Sequence, residues 1–186
     1  MGKGTIVLSV LNCLRSERML APLWDEACLV DAIAVGIDAV REGGTFSYAR
    51  PGRIVFGPGP QGAEADCLQR LSEALGRAAI PGESAADIRR VMWWKFMINV
   101  GVNQASAVLR APYGVFHTSP HAQAIMEAAM REVVVLAQAK GVRLEMSEID
   151  HWYTILRKLH PDNKTSMLQD IDAGRGAENG DNVWCN

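Results

Sequence analysis

Lys95, Asn99 and Asn103 recur four residues apart in WWKFMINVGVNQASAVL, a segment that is otherwise almost wholly apolar. On a helix this spacing keeps all three on one narrow stripe, drifting by about 40° per step. The other faces carry Trp93, Phe96, Met97, Val100 and Val102, and a helix hydrophobic nearly all round is normally buried. An amine and two amides on such a helix must meet partners or line a wet pocket, because burying them unpaired is costly. The chemistry on offer is polar recognition: one cation, two amide donors and two amide acceptors on a single line. The alternative is a solvent-facing edge of a surface helix, and spacing alone leaves both open.

A second polar group lies downstream in PDNKTSMLQD, where Asn163 and Ser166 fall at the expected start of a helix. Unpaired N–H groups at such a start suit a carboxylate or a phosphate. An ordinary helix cap accounts for Ser166 equally well, and the two roles are compatible. Glu178, in AGRGAEN, reads on its own as an acidic loop residue.

Other chemistry is discounted. FGPGPQG (56–62) follows a strand, but its two prolines spoil the turn that cradles a pyrophosphate, so it reads as a surface loop. No P-loop, GxSxG or HExxH occurs. His117 and His121 are four apart, but Pro120 between them marks a helix start rather than a continuous helical face for metal. His151 and His160 read as surface or cap residues, and the Met and Trp residues at 92–97 read as core.

These groups must be positioned by two differently built halves. TIVLSVL (5–11) and CLVDAIAVGIDAV (28–40) read as strands, the first buried on both faces. TFSYARP and RIVFG (45–57) suggest a hairpin turning at Pro51-Gly52. AEADCLQRLSEALGRAA (63–79) is an amphipathic helix, and Pro81-Gly82 then breaks the chain. Beyond residue 83 everything reads as helix. One long segment, capped by Ser84, spans about 85–109; Ser119-Pro120 opens the next, which Gly141 closes; a third starts at Ser147; a fourth starts at Thr165 or Ser166 and stops at Gly174. The expected fold class is an α/β remnant followed by an all-α part.

Bulk properties set broad limits. With 186 residues, 48% hydrophobic and 22% charged, the chain can bury a real core. A net charge of −2 provides no basic field for nucleic acid. Cys13, Cys28, Cys67 and Cys185 lack CxxC spacing, which suggests reduced thiols in a cytoplasm. No apolar run reaches the roughly 20 residues of a membrane helix, and no signal peptide is visible at the start.

WWKFMINVGVNQASAVL followed by NKTSMLQDIDAGRGAE resembles the C-terminal half of ketopantoate reductase (2-dehydropantoate 2-reductase): W-x-K with Asn four and eight residues on, then S-M-L-Q-D and a later Glu. LNC (11–13) and RIVFG also fit, so the resemblance runs from about residue 5 to 178. It implies an incomplete Rossmann-type sheet plus a helical domain like the C-terminal domain of 6-phosphogluconate dehydrogenase. The partial NADP-binding domain would cover 1–82 and the substrate-binding, dimerisation-type domain 83–186. The implied reaction is NADPH-dependent reduction of 2-dehydropantoate to pantoate in pantothenate biosynthesis, by a cytoplasmic enzyme compatible with a homodimer.

The resemblance also implies roles. Lys95 would protonate the carbonyl oxygen, a task suited to a desolvated amine whose charge stabilises a developing alkoxide. Asn99 and Asn103 would hold the substrate hydroxyl. Asn163 and Ser166 would bind substrate too, Ser166 facing its carboxylate, and Glu178 would bind substrate or hold Lys95. Asn12 would lie at the nicotinamide edge. Departures set limits: the Gly-rich phosphate turn is missing, Cys13 stands where the family has glycine, Tyr113 stands where some members carry another substrate-binding Asn, and NGDNVWCN departs from the family's continuing helix. The chain is therefore expected to be truncated at both ends and inactive alone. Two other classes stay open: a non-catalytic helical ligand-binding or dimerisation remnant, and a reductase of another small 2-oxo acid.

Overall fold

The computed structural model describes residues 4–23, 28–42, 44–59 and 65–174, in two compact units, Met1–Met92 and Trp93–Asn186. Glu178 lies outside the described residues.

Unit 1 is built on a four-stranded mixed sheet in the order β1 (Ile6–Leu8), β2 (Cys28–Glu42), β3 (Thr45–Pro58), β4 (Gly82–Ser84). β1 lies parallel to β2, and β3 parallel to β4, while the long β2–β3 pair is antiparallel. A short helix α1 (Ser16–Leu20) lies between β1 and β2, and α2 (Ala65–Arg77) between β3 and β4. The base of the sheet is buried on both faces. Val30, Ala32 and Phe56 pack with Cys67 and Leu71 of α2, and Ile33 and Val55 pack with Ile88 and Met92. Alternation along each strand sends neighbouring residues to opposite faces, so an unbroken apolar run serves two small cores. With the helical second unit, this gives the α/β-then-α class expected from sequence.

Three local expectations are corrected. Pro51-Gly52 is not a turn: Pro51 pairs with Ile37 within β3. Gly52 has φ +68°, and a side chain there would meet the Val35 carbonyl oxygen at 2.6 Å, so this glycine serves a close approach beside a register shift at Asp38/Ala39. Ser84 ends β4 rather than capping a helix. The helix starts at Ile88, and Asp87 receives the Arg90 N–H on its side chain at 3.0 Å. Cys28 and Cys67 are joined as a disulfide, 39 residues apart. Sequence spacing hides this pair because only the packing of α2 on β2 brings the two together.

α1 carries a buried acid. Glu17 is 2% exposed and accepts from the Ser9 backbone N–H at 3.3 Å and the Ser16 hydroxyl at 2.7 Å. Burial still raises its pKa. Asp31 on β2 is pushed up to about 6, first by burial and then by the charge of Glu17, against Arg18 and Arg89. Because the folded value lies above the ordinary 3.8, folding favours the protonated acid. Its contribution is complete below about pH 4 and is lost as pH rises through about 6. Asp31→Asn should therefore flatten melting temperature against pH across that window and be the more stable form at pH 7.5. An unchanged slope would refute the coupling.

Unit 2 is helical: α3 (Ile88–Ile98), which starts before the division, a π-turn (Asn99–Asn103), α4 (Gln104–Leu109), α5 (Tyr113–Thr118), α6 (Pro120–Ala139), α7 (Ser147–Leu156) and α8 (Ser166–Asp172). α6 begins as its sequence suggests, with Pro120 in the first turn and the Ser119 hydroxyl accepting from the Ala122 N–H. α5 was not foreseen. The core joins Met97, Val102, Phe116, Met126, Met130 and Trp152. Among the described residues, no helix is long and apolar enough to cross a membrane.

Candidate functional site

The polar stripe does not sit on one continuous α-helix. α3 ends at Ile98, the backbone widens into the π-turn, and α4 then resumes ordinary geometry. In a π-turn each N–H reaches five residues back rather than four. Four α-helical residues overshoot a full turn, whereas four π-helical residues fall short of one. The drift between Lys95 and Asn99 is thus turned back between Asn99 and Asn103, which keeps the three positions aligned.

Gly101 explains why the turn can sit where it does. It is buried, and a Cβ on it would lie 2.7 Å from Met130 Cε and 3.1 Å from the Met126 carbonyl oxygen. Without a side chain, the π-turn can lie directly against α6. Asn103, 9% exposed, is consequently drawn into the protein rather than left at its edge.

Asn103 is also where the two sequence segments meet. Its Nδ2 donates to Asn99 Oδ1 and to Ser166 Oγ, each at 3.4 Å. Both contacts are longer than the usual 2.7–3.2 Å range, so a ligand hydroxyl could replace either at little cost. Lys95 is half-buried in the last turn of α3, one turn before Asn99. Asn163 is exposed and tied in through its backbone, its carbonyl accepting from the Tyr113 N–H at 3.0 Å. Tyr113 thus marks where the 110–114 segment meets the 160–166 segment. Asn12 belongs to unit 1, half-buried on the bend after β1.

α8 starts within the expected pair Thr165 and Ser166, and the structure sorts their roles. The Thr165 hydroxyl accepts from the Leu168 N–H at 3.2 Å, so Thr165 is the cap and Ser166 the first helical residue. The helix has only seven residues. What it presents toward Asn103 is the Ser166 hydroxyl, not a ring of open N–H groups. Sequence reasoning also missed Ser106, whose hydroxyl accepts from Thr165 Oγ1 at 3.1 Å and donates to the Ala111 carbonyl at 2.6 Å. A serine within an apolar helical run is the only signal that could have pointed to it.

A mixed sheet followed by a helical unit is the fold shared with solved ketopantoate reductases. The structure of the PanE/ApbA family ketopantoate reductase from Ralstonia eutropha aligns with TM-score 0.79 at 25% identity, over 96% of this chain and 57% of that one. The fold of 2-dehydropantoate 2-reductase from Geobacter metallireducens aligns with TM-score 0.84 at 23% identity, over 96% and 59%. Residues 87–180 match the family described as ketopantoate reductase PanE/ApbA C terminal, and the chain belongs to that family. A curated relative, 2-dehydropantoate 2-reductase of Halobacterium salinarum, is 27% identical over 94% of this chain. That of Archaeoglobus fulgidus is 25% identical over 93%. The chain spans 57% of the length of each. By these names its relatives are oxidoreductases.

Proposed function

We propose that this chain supplies the substrate-holding and proton-donating half of a reductase that converts 2-dehydropantoate to pantoate. The observation that carries the reading is the convergence of Asn99 and Asn103, on a turn against α6 that begins one helical turn after Lys95, with Ser166 of α8. Reducing the ketone requires a hydride at carbon and a proton at oxygen, and these residues serve the second need. The Lys95 ammonium stabilises charge growing on the carbonyl oxygen and gives it a proton. Asn99 and Asn103 fix the substrate hydroxyl, while Ser166 and Asn163 hold its carboxylate end. Glu178 is assigned to the same substrate, and Asn12 to the nicotinamide edge, by the family pattern.

The family's dinucleotide is NADPH, and the described residues do not fit its pyrophosphate. Residues 9–15, between β1 and α1, contain no glycine and lead into a five-residue helix without a side-chain cap. Gly57 and Gly59 are taken up by packing: a Cβ on Gly57 would lie 2.7 Å from that of Ile88, and one on Gly59 would meet the Leu29 backbone. Residues 60–62, the rest of FGPGPQG, lie outside the described residues. We assign the 1–82 part a partial dinucleotide-domain role and 83–186 the substrate role.

Thermal denaturation of the purified chain with pantoate tests this. At a hundredfold excess over Kd, binding to the folded state adds about 2.7 kcal/mol. Asn103→Ala should abolish that gain, and lactate should give far less of it. No stabilisation by pantoate at any concentration would overturn the reading.

A further inference from the structure

We infer that Thr165 and Ser106 form a positioning pair that sets the Ser166–Asn103 contact. The inference rests on the substrate-site reading above, but concerns two residues outside it. Thr165 is 1% exposed and Ser106 is 0% exposed. Their hydroxyls form a one-way chain: Leu168 N–H to Thr165 Oγ1, Thr165 O–H to Ser106 Oγ, and Ser106 O–H to the Ala111 carbonyl. Each hydroxyl proton is spent once, so the chain fixes both rotors.

The geometry makes this more than a helix cap. Capping requires only that Thr165 accept from Leu168. The outgoing bond fastens the first turn of α8 to α4, whose preceding residue is Asn103. The chain just after α4 and the chain just before α8 are laced in turn by Tyr113 N–H to Asn163 O at 3.0 Å and Gly114 N–H to Pro161 O at 2.8 Å. Gly114 permits that approach, since a Cβ there would lie 2.8 Å from Pro161 Cβ. Ser166 follows Thr165 directly, and Asn103 precedes Ser106 by three residues. A buried bond between Thr165 and Ser106 therefore sets the separation of Ser166 Oγ and Asn103 Nδ2.

Two variants separate fastening from capping. Ser106→Ala leaves the Thr165 cap intact and removes the fastening; Thr165→Ser keeps both. The first readout is the side-chain amide NMR signals of Asn103 in the ligand-free chain. In Ser106→Ala these should move and exchange faster with water, while the amide signals of α6 stay in place. In Thr165→Ser they should match the wild type. The second is pantoate titration, in which Ser106→Ala should bind about tenfold more weakly per folded molecule and Thr165→Ser should bind normally. Unchanged Asn103 signals in a folded Ser106→Ala protein would overturn the inference. A wild-type chain that ignores pantoate would overturn the functional reading instead, and the Asn103 signals would still decide the positioning claim.

Discussion

Lys95→Ala should lower kcat by about 10²–10⁴-fold in a protein that joins this chain to a complete dinucleotide-binding domain. Loss of a proton donor acts in the transition state, so kcat and kcat/KM should fall together while substrate affinity changes little. Lys95→Arg sharpens the test. A guanidinium keeps its positive charge but does not give up a proton in a protein, so it should support binding without restoring the rate. The measurement is steady-state turnover per folded molecule, with melting temperature recorded in parallel. Should Lys95→Ala merely reduce the folded fraction, leaving turnover per folded molecule intact, Lys95 would be a structural residue and the stripe only a wall.

Gly101→Ala should destabilise unit 2 by about 1–3 kcal/mol, although alanine is ordinarily the better helix former. The added methyl meets Met130 Cε at 2.7 Å and the Met126 carbonyl oxygen at 3.1 Å. Met130 is fully buried and can yield only by displacing its own neighbours; the α6 backbone at Met126 can hardly yield at all. Met130→Ala alone leaves a cavity and costs about 2–5 kcal/mol. The double variant should lose clearly less than the sum, because the new methyl partly fills the vacated space. Strict additivity in denaturant titrations would show that the π-turn does not press on α6. Pantoate binding should weaken in Gly101→Ala as well, since Asn103 follows the turn.

The elements with local signals were legible. Ser119-Pro120 marked the start of α6, Gly141 and Gly174, both at positive φ, closed their helices, and the apolar run of β2 and the alternation of β3 were visible. So was the stripe itself, and so was its partner at Ser166, through the family pattern. What sequence concealed depends on contacts between distant segments. The π-turn exists where Gly101 faces Met126 and Met130, and nothing in NVGVN states that. Pro51-Gly52 has turn composition but lies within a strand, because the β2–β3 pairing extends to Glu42 and Thr45. Ser84 has cap composition but belongs to a strand edge, with Ile88 held in the sheet's second core. The Ser106–Thr165 link joins residues 59 positions apart, each unremarkable where it stands.

The π-turn also fixes how α3 and α4 are phased. A wide turn holds one residue more than an ordinary helix would use over the same rise, so it works as a single-residue insertion. Each helical residue rotates its successors by about 100°. Removing one residue between Asn99 and Asn103 would let a plain helix run through with α4 in its present phase, whereas straightening all five residues into a plain helix would turn every side chain of α4 by about that angle. Ala105, Ser106 and Ala107, now buried, would swing away from the core, and Val108, now 83% exposed, would swing with them. The chain thus carries two helical phases on one axis, one that buries α3 and one that buries α4, with the Asn99 and Asn103 amides at the joint.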